Sequence, residues 1–233
     1  MRVRDLNWMQ LEAYLDDDDR IVLPLGSTEQ HAYLSLETDN ILAERVAVEA
    51  AEPLGVPVLP VLAYGITPLF ASYPGSPSLS AETYLRVVRE LLDSLFGQGF
   101  GRVLLVNGHG GNMPARQAAS EWMAAHDGAQ AIFHDWWIGP RVAEVVREIE
   151  PTAHASWMEN FPWTRLAEVE LPGEAKRPLD LADLRARAPA GVREVLGDGS
   201  FGGTYQRSQE DEVRVWEAGV AEVRSLLDSG WAS

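Results

Sequence analysis

The chain has 233 residues, with 35 acidic against 19 basic side chains and a formal net charge of −16, so its surface repels phosphate backbones and anionic lipid heads and argues against nucleic acid or a membrane as partner. It contains no cysteine, which excludes a disulfide framework, a thiolate zinc site and a cysteine nucleophile, and leaves His, Asp and Glu to hold any metal. With 46% hydrophobic residues, no apolar run near the ~20 residues of a membrane span and no signal-peptide pattern, the expectation is one cytoplasmic domain over 1–233.

Apolar residues at Leu6, Met9 and Ala13, and at Leu11 and Leu15, predict an amphipathic helix over 6–15 that ends in the solvated Asp16 to Asp19 run. That run lacks the alternating ligand spacing of a calcium loop. The apolar stretch 21–25, bounded by Gly-Ser-Thr, predicts a strand buried on both faces. A helix over about 40–51 follows, then a strand over 56–62, a helix over about 81–96 and a strand over 103–106. Next come a helix over 114–125 with proline in its first turn and a strand over 129–133. This alternation predicts a mostly parallel sheet with helices on both faces, where sites form beyond the carboxyl ends of the strands. The Pro-, Gly- and charge-rich stretch 172–203 reads as a long excursion rather than a second domain, and a helix over 210–227 closes the chain.

Three polar clusters fall in such loops. The first is Gly26-Ser27-Thr28-Glu29-Gln30-His31 with Thr38-Asp39; alternation along extended backbone turns Glu29 and His31 to one side, spaced as a ligand pair. Asp39 stands where the next helix starts, so it is either a ligand or an N-cap. The second is Asn107-Gly108-His109-Gly110-Gly111-Asn112. A Gly-rich loop can cradle phosphate, but the phosphate-loop lysine and the Gly-x-Gly-x-x-Gly spacing are absent, and a central histidine fits a metal better. The third is His154-Ala155-Ser156-Trp157-Met158-Glu159-Asn160, where Glu159 is either a helix-dipole partner or a ligand.

Taken together, Gly-Ser-Thr-Glu-Gln-His…Thr-Asp, Asn-Gly-His-Gly-Gly-Asn and His-Ala-x-x-x-Glu, with Tyr73-Pro74-Gly75-Ser76 between the first two, resemble the creatininase (creatinine amidohydrolase) family over about 6–227. The resemblance implies a three-layer α/β/α sandwich, a two-metal amidohydrolase site, a small-molecule substrate and commonly a homohexamer. It implies that Glu29 and His109 bind one ion, that His31 binds the other and that Asp39 bridges them. The family glutamate two residues after the loop histidine is replaced by Gly111, and Glu159 matches the glutamate kept by glycine-loop members. His154 matches the family's proton shuttle. Ser76, Gly110, Gly111 and Trp157 are the expected substrate contacts.

Three carboxylates would offset three of the four charges of two divalent ions and leave room for one hydroxide, and His/carboxylate ligands suit Zn, Mn or Fe. The first motif departs from the family pattern at Ala32, lacks its second histidine and is one residue shorter. The third reads Ser156-Trp157 for Gly-Glu and Asn160-Phe161 for Thr-Ser. These departures alter the pocket wall and argue against creatinine itself. The expected activity is hydrolysis of a small amide, cyclic amide or formamide; a sugar-like or polyol ring and a non-catalytic role are the alternatives. His126 reads as a surface residue, and His134 as a second candidate for the pocket.

Overall fold

The computed structural model describes residues 1–232. An asparagine capping box at Asn7 starts the first helix, Trp8–Leu15 (α1), and the chain then enters Arg20–Leu25 (β1). Thr38–Ala51 (α2) and Ala81–Gly97 (α3) lie between β1 and Arg102–Asn107 (β2), and Pro114–Ala125 (α4) leads to Gln130–Asp135 (β3). The strands form one parallel sheet in the order β1-β2-β3, with Val22 opposite Leu104 and Leu104 opposite Ile132. Pro140–Ile149 (α5), Leu181–Arg185 (α6), Pro189–Leu196 (α7) and Gln209–Ser229 (α8) follow. Among the described residues no helix is long and apolar enough to cross a membrane.

Because successive strand residues point to opposite faces, the continuous apolar run of β1 fills two cores. Ile21, Leu23 and Leu25 join Val103 and Leu105 against Tyr84, Val88 and Leu92 of α3 and Ala119 and Trp122 of α4. Val22, Leu104 and Val106 pack on the other face against Leu42 and Val46 of α2, Val142 of α5 and Trp216 and Val223 of α8. Three layers result, α/β/α. Each buried Val, Leu and Ile among them contributes roughly 1.5–3 kcal/mol relative to exposure.

One expected strand is corrected. Residues 56–62 run extended beside β1 but meet it only through isolated bridges, Val22 with Val58 and Leu25 with Leu62. The cause is proline. Pro24, Pro57 and Pro60 have no N–H to donate, so the stretch keeps Val22 N to Pro57 O (3.0 Å), Leu59 N to Val22 O (2.9 Å), Leu62 N to Pro24 O (2.9 Å) and Gly26 N to Leu62 O (3.0 Å), and no continuous ladder. The excursion folds back: Leu184 of α6 and Val192 and Leu196 of α7 cluster with Phe70, beside Tyr73 and Phe201. That docking sets the excursion beside the carboxyl-end loops.

Candidate metal centre

The three polar clusters meet where the carboxyl ends of β1 and β2 point. Glu29 and His31 come from the loop after β1, Asp39 from the first turn of α2, His109 from the loop after β2, and His154 and Glu159 from the segment after α5. Asp39 is not the N-cap; Glu37 holds that position. The Asp39 carboxylate instead lies between two imidazoles, Oδ1 at 3.0 Å from His31 Nε2 and Oδ2 at 2.9 Å from His109 Nδ1. Glu29 Oε1 is 3.3 Å from His109 Nδ1, and Glu159 Oε2 is 3.9 Å from His31 Nε2. Two donor triads follow, Glu29–Asp39–His109 and His31–Asp39–Glu159, each with ligand atoms within 4.8 Å of one another and sharing Asp39. A third grouping joins Glu29, His31 and His154.

These atoms suit a cation. His31 Nε2 and Asp39 Oδ2 are buried and make no well-directed hydrogen bond; their polar neighbours are the cluster atoms Asp39 Oδ1 and His109 Nδ1, and an ion would satisfy what these contacts do not. Each ligand imidazole is anchored by its other nitrogen: His31 Nδ1 donates to the Glu29 carbonyl (3.2 Å) and His109 Nε2 to the Ile66 carbonyl (3.0 Å). Anchoring of this kind fixes the tautomer and leaves one lone pair for an ion. The His109 loop is itself held by Asn107, whose Nδ2 donates to the His109 carbonyl (2.7 Å) and to Asp135 Oδ1 (2.7 Å), and whose Oδ1 accepts from His109 N (3.2 Å).

A family model described as Creatininase, creatinine amidohydrolase, matches residues 4–227. The chain belongs to the creatininase family. Over 110 residues it is 36% identical to the mycofactocin precursor peptide peptidase of Mycolicibacterium smegmatis, which covers 42% of this chain and 42% of that protein. Over 114 residues it is 32% identical to the creatinine amidohydrolase of Pseudomonas putida, 46% of this chain and 44% of that one. A 3-dehydro-scyllo-inosose hydrolase of Thermotoga maritima is 29% identical over 103 residues, 43% of this chain and 33% of the relative. The aligned regions thus span less than half of each relative. Solved creatininase structures share the fold: one covers 100% of this chain and 98% of its own at 22% identity and a TM-score of 0.79, and a manganese form covers 100% and 99% at 22% identity and 0.76.

Within this creatininase-family site, burial and charge act against each other. Burial alone depresses the His31 imidazole, but the Asp39 carboxylate, then Glu159 and Glu29, raise it to about 10. His109 is likewise disfavoured by burial and carried well above its ordinary value by Glu29 and Asp39. Glu159 moves the opposite way to most carboxylates, pushed up to about 7 by burial against the pull of His31. His154 is pushed down to about 4 by burial and by the His31 charge, so it is neutral at neutral pH.

Gln30, which sequence reasoning did not assign, holds His154 in a specific way. Its amide is oriented by Ala32 N donating to Oε1 (3.1 Å) and by its own Nε2 donating to the Gly199 carbonyl (3.1 Å). That amide nitrogen lies 2.9 Å from His154 Nε2, and the Gln30 carbonyl oxygen lies 3.2 Å from the same ring atom. One residue therefore offers His154 Nε2 both a donor and an acceptor, so either neutral tautomer is satisfied. Nδ1, 4.0 Å from Glu29 Oε1, is then free to gain or lose a proton. Phe70 stacks on the ring at 4.8 Å with planes 20° apart. The only early signal for Gln30 was its place between Glu29 and His31.

The glycine loop shows why no carboxylate stands at 111. A Cβ on Gly111 would overlap the Ile66 carbonyl oxygen and sit 2.5 Å from His109 Nε2. Gly111→Ala is expected to destabilise the protein by about 1–3 kcal/mol, the usual cost of overpacking, and to loosen His109; thermal denaturation with and without added metal measures both. Ala32 has φ +50° and Ala155 φ +54°, left-handed conformations that cost an L-residue roughly 1–2 kcal/mol, directly after His31 and His154. The family's glycine at position 32 would meet no such strain.

A cavity of about 720 Å³ opens over the cluster, lined by Glu29, Asp39, His109, Gly110, Gly111, His154 and Glu159, with Ile66, Phe70, Trp137, Met158 and Phe201 as apolar wall. Two expected substrate contacts lie elsewhere. Trp157 is 1% exposed and belongs to the core on the α2/α5/α8 face, because residues 157–159 form a single 3-10 turn that sends its indole inward. Ser76 does not line the cavity; its Oγ accepts from Gln30 N (2.9 Å) and so supports the ligand loop. His126 faces Asp93 at 3.3 Å, away from the cluster. His134 is half-buried on β3 and is not part of the cavity wall.

Proposed function

We propose that this chain is a dinuclear metal-dependent amidohydrolase. The observation that carries the reading is the Asp39 carboxylate set between His31 and His109 in two overlapping donor triads. Glu29, Asp39 and His109 would hold one ion, and His31, Asp39 and Glu159 the other, with Zn, Mn or Fe as the metals this donor chemistry suits. When bound, such ions lower the pKa of water and polarise an amide carbonyl. The chain's own contribution to the chemistry is His154. Neutral at neutral pH, it takes a proton at Nδ1 and delivers it to the departing nitrogen while Gln30 keeps Nε2 satisfied. Phe70 and Phe201 flank the ring and keep bulk water from it. The departing group is small to medium in size, an amine from an amide, lactam or formamide.

The test is elemental analysis of purified protein together with turnover of an amide panel before and after chelation. Well under one ion per chain, with chelation changing nothing, would overturn the reading. A ring of polyol or sugar type is a second reading, favoured by the Thermotoga maritima relative; including cyclic inososes in the same panel separates the two. The proposed assembly is a homohexamer, the state that the family resemblance implies; exposed Trp8 (68%) and Met9 (53%) on α1 offer apolar surface for association, and light scattering at the mass of one chain would overturn it.

Metal loading is expected to depend on pH. In the metal-free protein His31 keeps its proton up to about 10 and His109 well above its ordinary value, so each ion must displace one proton to reach its imidazole. Affinity therefore rises with pH, by about tenfold per unit for the ion at His109, and more steeply below about pH 7 for the ion at His31, where Glu159, pushed up to about 7, must give up its proton as well. Equilibrium dialysis at pH 6, 7 and 8 reads the slope, and a flat profile would show that the imidazoles are already deprotonated.

A further inference from the structure

We infer that Arg185 and Arg187, at the mouth of the cavity, form a carboxylate-binding subsite, so that the preferred amide carries an apolar body and an anionic end. The inference rests on the amidohydrolase reading for its chemistry and on three separate observations for its specificity.

The first is charge. Apart from the cluster formed by Glu29, Asp39, His109, His154 and Glu159, the charged side chains lining the cavity are Arg185 and Arg187. In a chain of net charge −16, whose general field repels anions, the unpaired Arg185 guanidinium is a local reversal that draws an anion to that point, the charge of Arg187 being offset by Asp183. The second is availability and orientation. Arg187 is held in a fork by Asp183, Nε to Oδ2 at 2.9 Å and a terminal nitrogen to Oδ1 at 3.0 Å. Arg185, at the end of α6, makes no side-chain hydrogen bond or ion pair among the described residues and keeps its full set of donors. A guanidinium with free, planar donors matches a carboxylate bidentately. The third is size. About 720 Å³ lies in the range that encloses drug-sized ligands, far more than one five-membered ring fills. Between the cluster and the arginines the wall is Phe70, Leu184, Phe201 and Pro189, which suits an alkyl or aromatic body.

The experiment uses the metal-loaded protein and isothermal titration calorimetry with 3-phenylpropionate, its neutral isostere 3-phenylpropionamide, and 2-phenylethylphosphonate. The carboxylate is expected to bind on the order of tenfold or more tightly than the amide, the worth of one charge-assisted hydrogen bond, and the preference should weaken with salt. In Arg185→Ala the carboxylate/amide ratio should fall toward one, in Arg185→Lys it should be partly kept, and in Arg185→Glu it should invert, all with metal content unchanged. A ratio that survives Arg185→Ala and Arg187→Ala would mean that the metal cluster takes the carboxylate, and overturns the proposal. Arginine-dependent binding that favours the phosphonate overturns the carboxylate assignment. The two readings fail separately. If no amide is hydrolysed while the arginine-dependent ratio stands, the amidohydrolase reading falls and the subsite remains. If amides are hydrolysed with no preference for a carboxylate and the arginine variants leave the ratio unmoved, only the subsite falls.

Discussion

Asp39→Asn is expected to lower affinity for both ions by more than about 100-fold, beyond the 10–100-fold typical of residues that merely orient a ligand. The carboxylate belongs to both donor triads and touches both imidazoles, at 3.0 and 2.9 Å, so one substitution removes a charge from each. No neighbour replaces it: Glu29 lies on the His109 side and Glu159 on the His31 side. The metal-free variant gives an independent readout. Asp39 leads the influences that lift His31 to about 10 against burial, so in Asp39→Asn the His31 titration, followed by imidazole NMR, should fall, with Glu159 and Glu29 still holding part of the rise. Elemental analysis that finds two ions per chain in the variant would refute the shared role, and an unmoved His31 titration would refute the electrostatic account.

His154→Ala should separate proton transfer from metal binding. Its Nε2 is committed to Gln30 and its ring to Phe70, so truncation is expected to leave both ions bound and to reduce turnover by about 10²- to 10⁴-fold, the usual contribution of a positioned acid or base. Glu159→Gln should do the reverse. Its Oε2 accepts from Ala155 N at 2.6 Å and reaches toward His31 at 3.9 Å, so loss of the charge should make the ion nearer His31 labile, with activity partly restored by added metal. Metal content and turnover measured side by side decide the matter: a His154→Ala that loses metal and a Glu159→Gln that keeps both ions would mean the two roles are exchanged.

Much of this architecture was legible along the chain because it depends on local pattern. The apolar run 21–25 and the stretch 103–106 were readable as doubly buried strands, since only a strand covered on both faces tolerates an unbroken apolar sequence. Glu29, His31, Asp39, His109, His154 and Glu159 stood out as a set through the resemblance of their motifs to the creatininase family; singly, Asp39 also read as an N-cap and Glu159 as a helix-dipole partner. The prolines at 24, 57 and 60 were visible as well, yet their effect was not. Whether a missing N–H breaks a ladder depends on which partner it would have faced, and pairing is a property of the assembled sheet. The same limit explains Trp157. Its position in a ligand-bearing motif suggested a pocket wall, whereas a single 3-10 turn, formed where the segment packs on the sheet, rotated it into the core. Only the fold decided that Asp39 serves two imidazoles rather than capping α2, because both readings use the same carboxylate at the same helix start and differ only in what lies across from it. Gln30, Gly111 and the two arginines at the mouth were decided in the same way: each acts through a group distant in the sequence, the Gly199 carbonyl, the Ile66 carbonyl and the opening of a cavity, and such distances exist only once the chain has closed on itself.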